Sequence, residues 1–159
     1  MPDMLVKLYE LAPLDPYLQE QSDRDIIIRR GIIPEKHFVL QWVKQHFSDF
    51  WVSECDVAFS RLPVSCFLAV QQGTLIGFAC YDTTRLGFFG PTGVGEAARG
   101  KGTGTALLMA CLHDMWGKGY GYAIIGHTGP TAYYARVCNA VEIPDSTPGV
   151  YAGMLRKSD

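Results

Sequence analysis

Apolar and polar positions along this chain change period several times, and each change predicts an element. Residues 6–11 alternate apolar and polar, the period-two signature of a half-buried strand, and Pro13 and Pro16 close it. Residues 15–21 then suit a short helix, and the β-branched run 25–30 reads as a second strand. Pro34 sits where a first helical turn tolerates it. From there Phe38, Trp42, Val43 and Phe47 recur at helical spacing and predict an amphipathic helix over 34–47. A second helix over 51–61 puts Trp51, Cys55, Ala58 and Phe59 on one face, and Pro63 ends it.

Two apolar runs, 66–70 and 75–81, flank Gln71-Gln72-Gly73-Thr74, a hairpin signal with Gly73 at a positive-φ turn position. A further strand over 85–94 leads to the hexapeptide Arg99-Gly100-Lys101-Gly102-Thr103-Gly104, and the run from Thr105 to Leu112 has the composition of a buried helix. Beyond the glycines at 117, 119 and 121, residues 122–126 read as a buried strand and 130–137 as a helix ended by a left-handed Asn139. The last strands are 141–144 and 149–155, joined by a turn at 145–148. No repeat, low-complexity tract or linker interrupts this order, so a single domain over residues 1–159 is expected.

The hexapeptide is the stretch that carries chemistry. A Gly-rich turn opening a helix leaves backbone N–H groups unpaired at the positive end of the helix dipole, an anion site suited to phosphate. Arg99 and Lys101 add positive charge beside it. Three phosphate motifs compete, and spacing separates them. Residues 95–102 read G-E-A-A-R-G-K-G, but a nucleotide-triphosphate loop needs Ser or Thr where Gly102 stands, so its magnesium ligand is missing. The dinucleotide fingerprint fails at Gly104, and no acidic residue follows in the next strand. The pattern Arg/Gln-x-x-Gly-x-Gly/Ala at a strand-to-helix turn fits. Here the sequence resembles the GNAT superfamily, the acetyl-CoA-dependent N-acyltransferases. The plain structural alternative is a Gly-rich surface turn capping a helix.

The resemblance implies a fold. From Ile26 onward the order is strand, two helices, three strands, helix, strand, helix, two strands, as in the GNAT fold. That is an α/β mixed sheet, mostly antiparallel, splayed at the cofactor site and flanked by helices. Residues 24–159 form its core. Residues 1–23 are an N-terminal extension whose strand pairs either with the main sheet or with a second subunit in a homodimer.

The resemblance also implies acetyl-CoA as cosubstrate. It would be held by Val94, Arg99, Gly100, Lys101, Gly102, Thr103, Gly104 and Thr105, with the Val94 main chain on the pantetheine amide. Thr92 would lie nearest the thioester, where a backbone N–H stabilises the oxyanion. Glu96 stands where many members have proline. Residues 131–140 resemble the family segment Phe-Tyr-x-Lys-x-x-Gly-Ala, with Tyr133 in the Phe place, Arg136 in the Lys place and Asn139 in the Gly place. Tyr134 then falls on the tyrosine that protonates the departing CoA thiolate, and a phenol with pKa near ~10 can donate at neutral pH. A tyrosine closing a helix over the core is the competing role. Where members often carry Asn, seven residues earlier, His127 stands.

The general base is open. Residues 86–94 contain no carboxylate, which leaves Glu54, His37, His46 and His127 as groups that could act through water. The helices over 34–61 flank the acceptor cleft in this fold, which makes Trp42, Trp51, Glu54 and Cys55 lining candidates and core packing the rival role for the tryptophans. The expected function is direct transfer of acetyl from acetyl-CoA to a small-molecule or peptide amine. The alternative is a non-catalytic acyl-CoA-binding sensor or structural module.

Composition narrows the picture. Of 159 residues 48% are apolar and 19% charged, with a net charge of −2, enough for a core and no bulk reason for nucleic-acid or anionic-membrane binding. No apolar run approaches the ~20 residues that span a bilayer. The start lacks a basic region followed by an apolar stretch, so a cytoplasmic protein is expected. The five cysteines are widely spaced and read as free thiols, and neither they nor the four histidines form a metal-ligand spacing, so no metal is expected.

Overall fold

The computed structural model describes residues 1–158. The chain runs β1 (Met4–Lys7), α1 (Asp15–Ser22), β2 (Ile26–Arg30), α2 (Lys36–His46), α3 (Asp49–Ala58), β3 (Cys66–Gln71), β4 (Thr74–Tyr81), β5 (Phe88–Val94), α4 (Thr103–Gly117), β6 (Tyr122–Ile125), α5 (Thr131–Cys138) and β7 (Val141–Glu142). The strands form one sheet in the order β2-β3-β4-β5-β6-β1-β7. Every neighbouring pair is antiparallel except β5 and β6, which are parallel.

Strand periodicity divides the core into two layers. In β4, Phe78 and Cys80 face α2 and α3 and pack with Val39, Val43, Cys55 and Ala58. Ala79 and Tyr81 face the other way, onto α4. The β3–β4 hairpin turns through Gln72 (φ 50°) and Gly73 (φ 75°), the two positive angles that match the twist of paired strands. Helix α4 is buried on nearly every side, from Ala106 through Leu112 and again at Met115. The sheet covers one side of it, and Leu11, Leu14 and Tyr17 of the N-terminal segment cover the other. At its far end Asp114 accepts hydrogen bonds from Arg30 (2.9 and 2.5 Å) and from the Tyr81 hydroxyl.

The expected N-terminal strand pairs with the main sheet, and it is an interior strand. β1 lies between β6 and β7, with Met4 opposite Ile125 on one side and Glu142 on the other. It stops at Lys7, short of the expected Leu11, because its partner β6 begins at Tyr122. Leu8–Glu10 form a 3-10 turn, and Leu8 N donates to Gly121 O at 3.1 Å.

The C-terminus departs most from the sequence expectation. Residues 141–144 give only the two-residue β7, and the expected strand over 149–155 is absent, with a 3-10 turn at Gly149–Tyr151 instead. The free edge of β6 is already occupied by β1, so this run has no place beside it. The start of β5 is also trimmed, because Arg85 to Phe88 close a turn through Gly87 (φ 81°).

Met4, Val6 and Leu8 are 1%, 0% and 2% exposed, so the extension is part of the core. Leu8→Ala should therefore destabilise the protein by about 2–5 kcal/mol, the scale of a large-to-small core substitution. Thermal unfolding measures this, and an unchanged midpoint would show the segment to be a dispensable cover.

Candidate active site

Two strands that start together and then part create the site. β5 pairs with β6 only at Phe88–Ile124 and Phe89–Ile125, and its residues 90–94 continue without that neighbour. On its other edge β5 stays paired with β4, Phe78 opposite Gly93 and Gly77 opposite Val94. Gly95 N donates to Ile76 O at 2.9 Å. Antiparallel bonding alternates, so Gly93 points its main-chain groups at β4, and Thr92 and Val94 point theirs into the gap. Gly93 admits no side chain, since a Cβ there would lie 2.3 Å from the Phe47 ring. That ring is itself packed against Trp42, Trp51 and Phe78.

The anion loop closes one end of the gap. Gly102 takes φ 76° at the start of α4, a left-handed conformation that glycine adopts without strain. The first backbone bond of the helix runs from Ala106 N to Gly102 O, at 3.0 Å. Among the described residues, none of the backbone N–H groups from Gly100 to Thr105 has a partner in the protein. A helix start leaves its first N–H groups unpaired at the positive end of the dipole, and here that end borders a cavity, which suits it to an acceptor-rich group. Arg99 Nε donates to Val94 O at 3.1 Å, tying the loop to the parted strand.

The cavity measures about 510 Å³ and brings together most of the residues that the sequence singles out. Thr92, Val94, Arg99, Gly100, Gly102, Thr103, Gly104, Thr105 and Tyr134 all line it, with Tyr133 and Pro130. Lys101 does not. Its carbonyl turns inward and accepts from Gln21 Nε2 at 2.8 Å.

Helix α5 supplies the wall opposite α4. Asn139 ends it at φ 53°, as its sequence predicts. Tyr133 shares a hydrogen bond of 2.6 Å with Thr105 Oγ1, joining the two helices. Tyr134 lies edge-on to Tyr133, ring centroids 5.0 Å apart. Its hydroxyl has no hydrogen-bond partner among the described residues. Burial, then the neighbouring Tyr133 and Cys138, push the Tyr134 phenol up to about 12.

The remaining candidates lie on the α3 face, outside this cavity. Trp51 packs on Phe47 and Phe78 at 4.8 and 6.2 Å between centroids, a core position. Glu54 accepts from Thr84 Oγ1 at 2.5 Å, and burial raises its carboxyl above the ordinary range. The adjacent Thr83 Oγ1 donates to Gly90 O at 2.9 Å, so Glu54 is linked to the point where β5 leaves β6. Tyr151 belongs to the same cluster: its phenol is raised by burial and then by the Glu54 carboxylate, and its ring lies 5.7 Å from His127. His127 thus stands apart from the cofactor cavity, its backbone N–H donating to Asp3 Oδ1 at 2.9 Å. Sequence patterns offered no signal for Thr84, Tyr151 or Gln21, because Thr84 lies 30 positions from Glu54, Gln21 80 positions from Lys101, and Tyr151 far along the chain from Glu54.

All five cysteines are free and buried. Burial raises the Cys80 and Cys111 thiols and takes Cys138 to about 11, which disfavours the thiolate that a cysteine nucleophile needs. Among the described residues no group of three or more His, Cys, Asp and Glu side chains is placed to hold a metal ion, and no helix is long and apolar enough to cross a membrane.

Solved structures share this fold. A GCN5-related glucosamine N-acetyltransferase region of a fungal multi-domain GH3 beta-N-acetylglucosaminidase superposes with a TM-score of 0.73 at 14% identity, covering 89% of this chain and 19% of that one. A GCN5-related N-acetyltransferase from Sphaerobacter thermophilus gives 0.67 at 19% identity, over 89% of this chain and 48% of that one. A ribosomal-protein-alanine N-acetyltransferase from Brucella melitensis biovar Abortus 2308 gives 0.55 at 15% identity, over 74% and 94%. The chain thus spans about a fifth and about half the length of the first two. Comparison with curated proteins finds no match. The model of the Acetyltransferase (GNAT) family matches residues 33–138, a stretch that holds α2 to α5, the parted strand and the anion loop, and the chain belongs to that family.

Proposed function

We propose that this protein transfers the acetyl group of acetyl-CoA directly to an amine. The observation that carries the reading is the run of unpaired amides from Gly100 to Thr105 at the start of α4, whose residues, all but Lys101, line the same cavity as Thr92 and Val94. The cradle fits a pyrophosphate: the amides stand at the positive end of α4, and Gly100 and Gly102 hold φ of 83° and 76° without strain. Bound there, acetyl-CoA supplies an acyl group activated as a thioester.

The protein's own groups do the rest. Val94 offers its main chain to the amide of the pantetheine arm, as one strand pairs with another. Thr92 presents its N–H where a thioester carbonyl oxygen gains charge. Tyr134 donates a proton to the leaving sulfur, and its raised pKa keeps the proton available across the neutral and mildly alkaline range. Glu54 stands by the vertex of the split on the α3 side. Burial strengthens it as a base, and its charge attracts an ammonium group. The similar structures named for glucosamine and for ribosomal-protein alanine support an amine acceptor.

Three measurements test this. Gly102→Val puts a β-branched residue at φ 76°, with its Cβ against Gln21 and Glu20, and so forces the loop out of the conformation that presents its amides; calorimetry should show CoA affinity falling by at least ~2 kcal/mol, the scale of lost charge-assisted hydrogen bonds. A folded variant with unchanged affinity would sink the cofactor assignment. Tyr134→Phe should leave CoA affinity intact and lower kcat by roughly 10²–10⁴-fold, and in the parent the phenol should impose no alkaline fall until pH nears about 12. Full turnover by the Phe variant at saturating acetyl-CoA would make Tyr134 a packing residue. A base must be deprotonated, so activity through Glu54 is lost as pH falls through its raised pKa. The acidic limb should therefore lie above the usual glutamate value of ~4.3, and Glu54→Gln should abolish that limb, with amine ionisation separated by varying the acceptor. CoA binding without turnover of any amine in a broad panel would point instead to a non-catalytic acyl-CoA-binding module.

A further inference from the structure

Gln21 is a polar side chain that is 1% exposed, and it sits in α1, a helix of the N-terminal segment. An amide buried so deeply must be fully hydrogen-bonded, or it costs the stability that burial elsewhere provides. Both of its ends are bonded, and both bonds go to the anion loop. Nε2 donates to the Lys101 carbonyl at 2.8 Å, and Oε1 accepts from Thr103 Oγ1 at 2.7 Å. Between those two anchors lies Gly102, whose hypothetical Cβ would stand 3.5 Å from the same Nε2.

This geometry has a consequence for the loop's amides. Each peptide unit is planar, so the direction of the Lys101 carbonyl sets that of the Gly102 N–H, which points the opposite way. With the carbonyl drawn inward to Gln21, the N–H of Gly102 is turned outward, toward the cavity that Gly102 lines. Thr103, 2% exposed, is pinned at the first turn of α4 by the second bond. The loop itself has few other restraints, since none of its N–H groups from Gly100 to Thr105 is bonded to any of the described residues. A flexible, glycine-rich turn loses conformational freedom when it binds a ligand, and a strut that orders it beforehand lowers that cost.

We infer that Gln21 is a positioning residue for the cofactor loop, and that the N-terminal segment is thereby a functional part of the acyl-CoA site. The inference rests on the CoA reading above. Gln21 touches neither thioester nor acceptor; it acts through the pyrophosphate end alone. Its loss should weaken binding of acetyl-CoA and leave the chemical step unchanged.

The test compares two acetyl donors on the full-length protein. Acetyl-CoA uses the loop, whereas S-acetylpantetheine carries the same thioester arm without the pyrophosphate. Gln21→Leu keeps the bulk and removes both hydrogen bonds. It should raise the KM for acetyl-CoA by about tenfold or more, the worth of a lost hydrogen-bond pair, with kcat within about twofold and kcat/KM for S-acetylpantetheine unchanged. An unchanged KM for acetyl-CoA would overturn the inference. So would an equal loss with both donors, which is what general loosening of the fold would produce. Should Gln21→Leu fail to fold, Gln21→Met keeps an unbranched side chain of similar length, removes the same two bonds and is read by the same donor comparison, with the same rise in KM expected. A parent protein that binds no CoA by calorimetry and turns over only the truncated donor, or neither, would overturn the CoA reading and this inference with it. Normal CoA turnover by the parent with no donor-selective loss in the variants would overturn the inference alone.

Discussion

A backbone amide or carbonyl taken out of water needs a partner, and β5 leaves β6 with that need unmet. Up to Phe89 the two strands satisfy each other, and beyond it the inward-facing groups of Thr92 and Val94 look into a gap. Most of the protein is arranged to hold that gap open. β4 keeps the far edge of β5 paired, and the Phe47 ring, backed by Trp42 and Trp51, presses on Gly93. Thr83 takes the Gly90 carbonyl at the vertex, and Asp3 accepts from His127 just after β6 ends. The same scarcity of partners recurs at the start of α4, and the two sets of groups meet in one cavity, where Arg99 Nε already takes the Val94 carbonyl. A ligand with an amide-bearing arm at one end and phosphates at the other satisfies both.

Helix α4 must hold still for this to work, and it is held at each end by a different part of the chain. Asp114 is gripped by Arg30 and Tyr81 of the sheet. Solvent reaches the pair, since the Arg30 and Asp114 side chains are 33% and 23% exposed, so its worth lies below that of a buried ion pair. The apolar layer between Leu107, Leu108, Leu112 and the sheet contributes more. At the other end stands Gln21. The N-terminal segment therefore touches the site twice, through Gln21 at the anion loop and through Asp3 behind the loop that follows β6.

Two chemically distinct sides result. On the α4–α5 side lie the amides, Arg99 and the Tyr134 hydroxyl, all hydrogen-bond donors suited to anions. On the α3 side lie Glu54, Thr84 and Tyr151, a cluster built around a carboxyl group. The two tyrosines illustrate how place decides chemistry. Tyr133 is spent on a bond to Thr105, and Tyr134, one residue on, keeps a free hydroxyl.

The sequence by itself determined what depends on near neighbours. Alternation and helical spacing located the elements from β2 to α5, because those periods are set by local backbone geometry. Arg99 to Gly104 announced a glycine turn with unpaired amides at the start of a helix, because orphan amides and positive-φ glycines belong to a few consecutive residues, and Asn139 ended its helix for a similar reason. Only the tertiary structure decided what depends on distance along the chain. Residues 149–155 have a strand's composition and form none, since β1 occupies the edge of β6. Lys101, marked by its charge, contributes an inward carbonyl instead, and Trp51 is drawn into an aromatic core. Gln21 is an ordinary polar residue on a short helix until folding brings it to a loop 80 positions away. No local period encodes such a contact, because it exists only once two separate surfaces have been buried against each other.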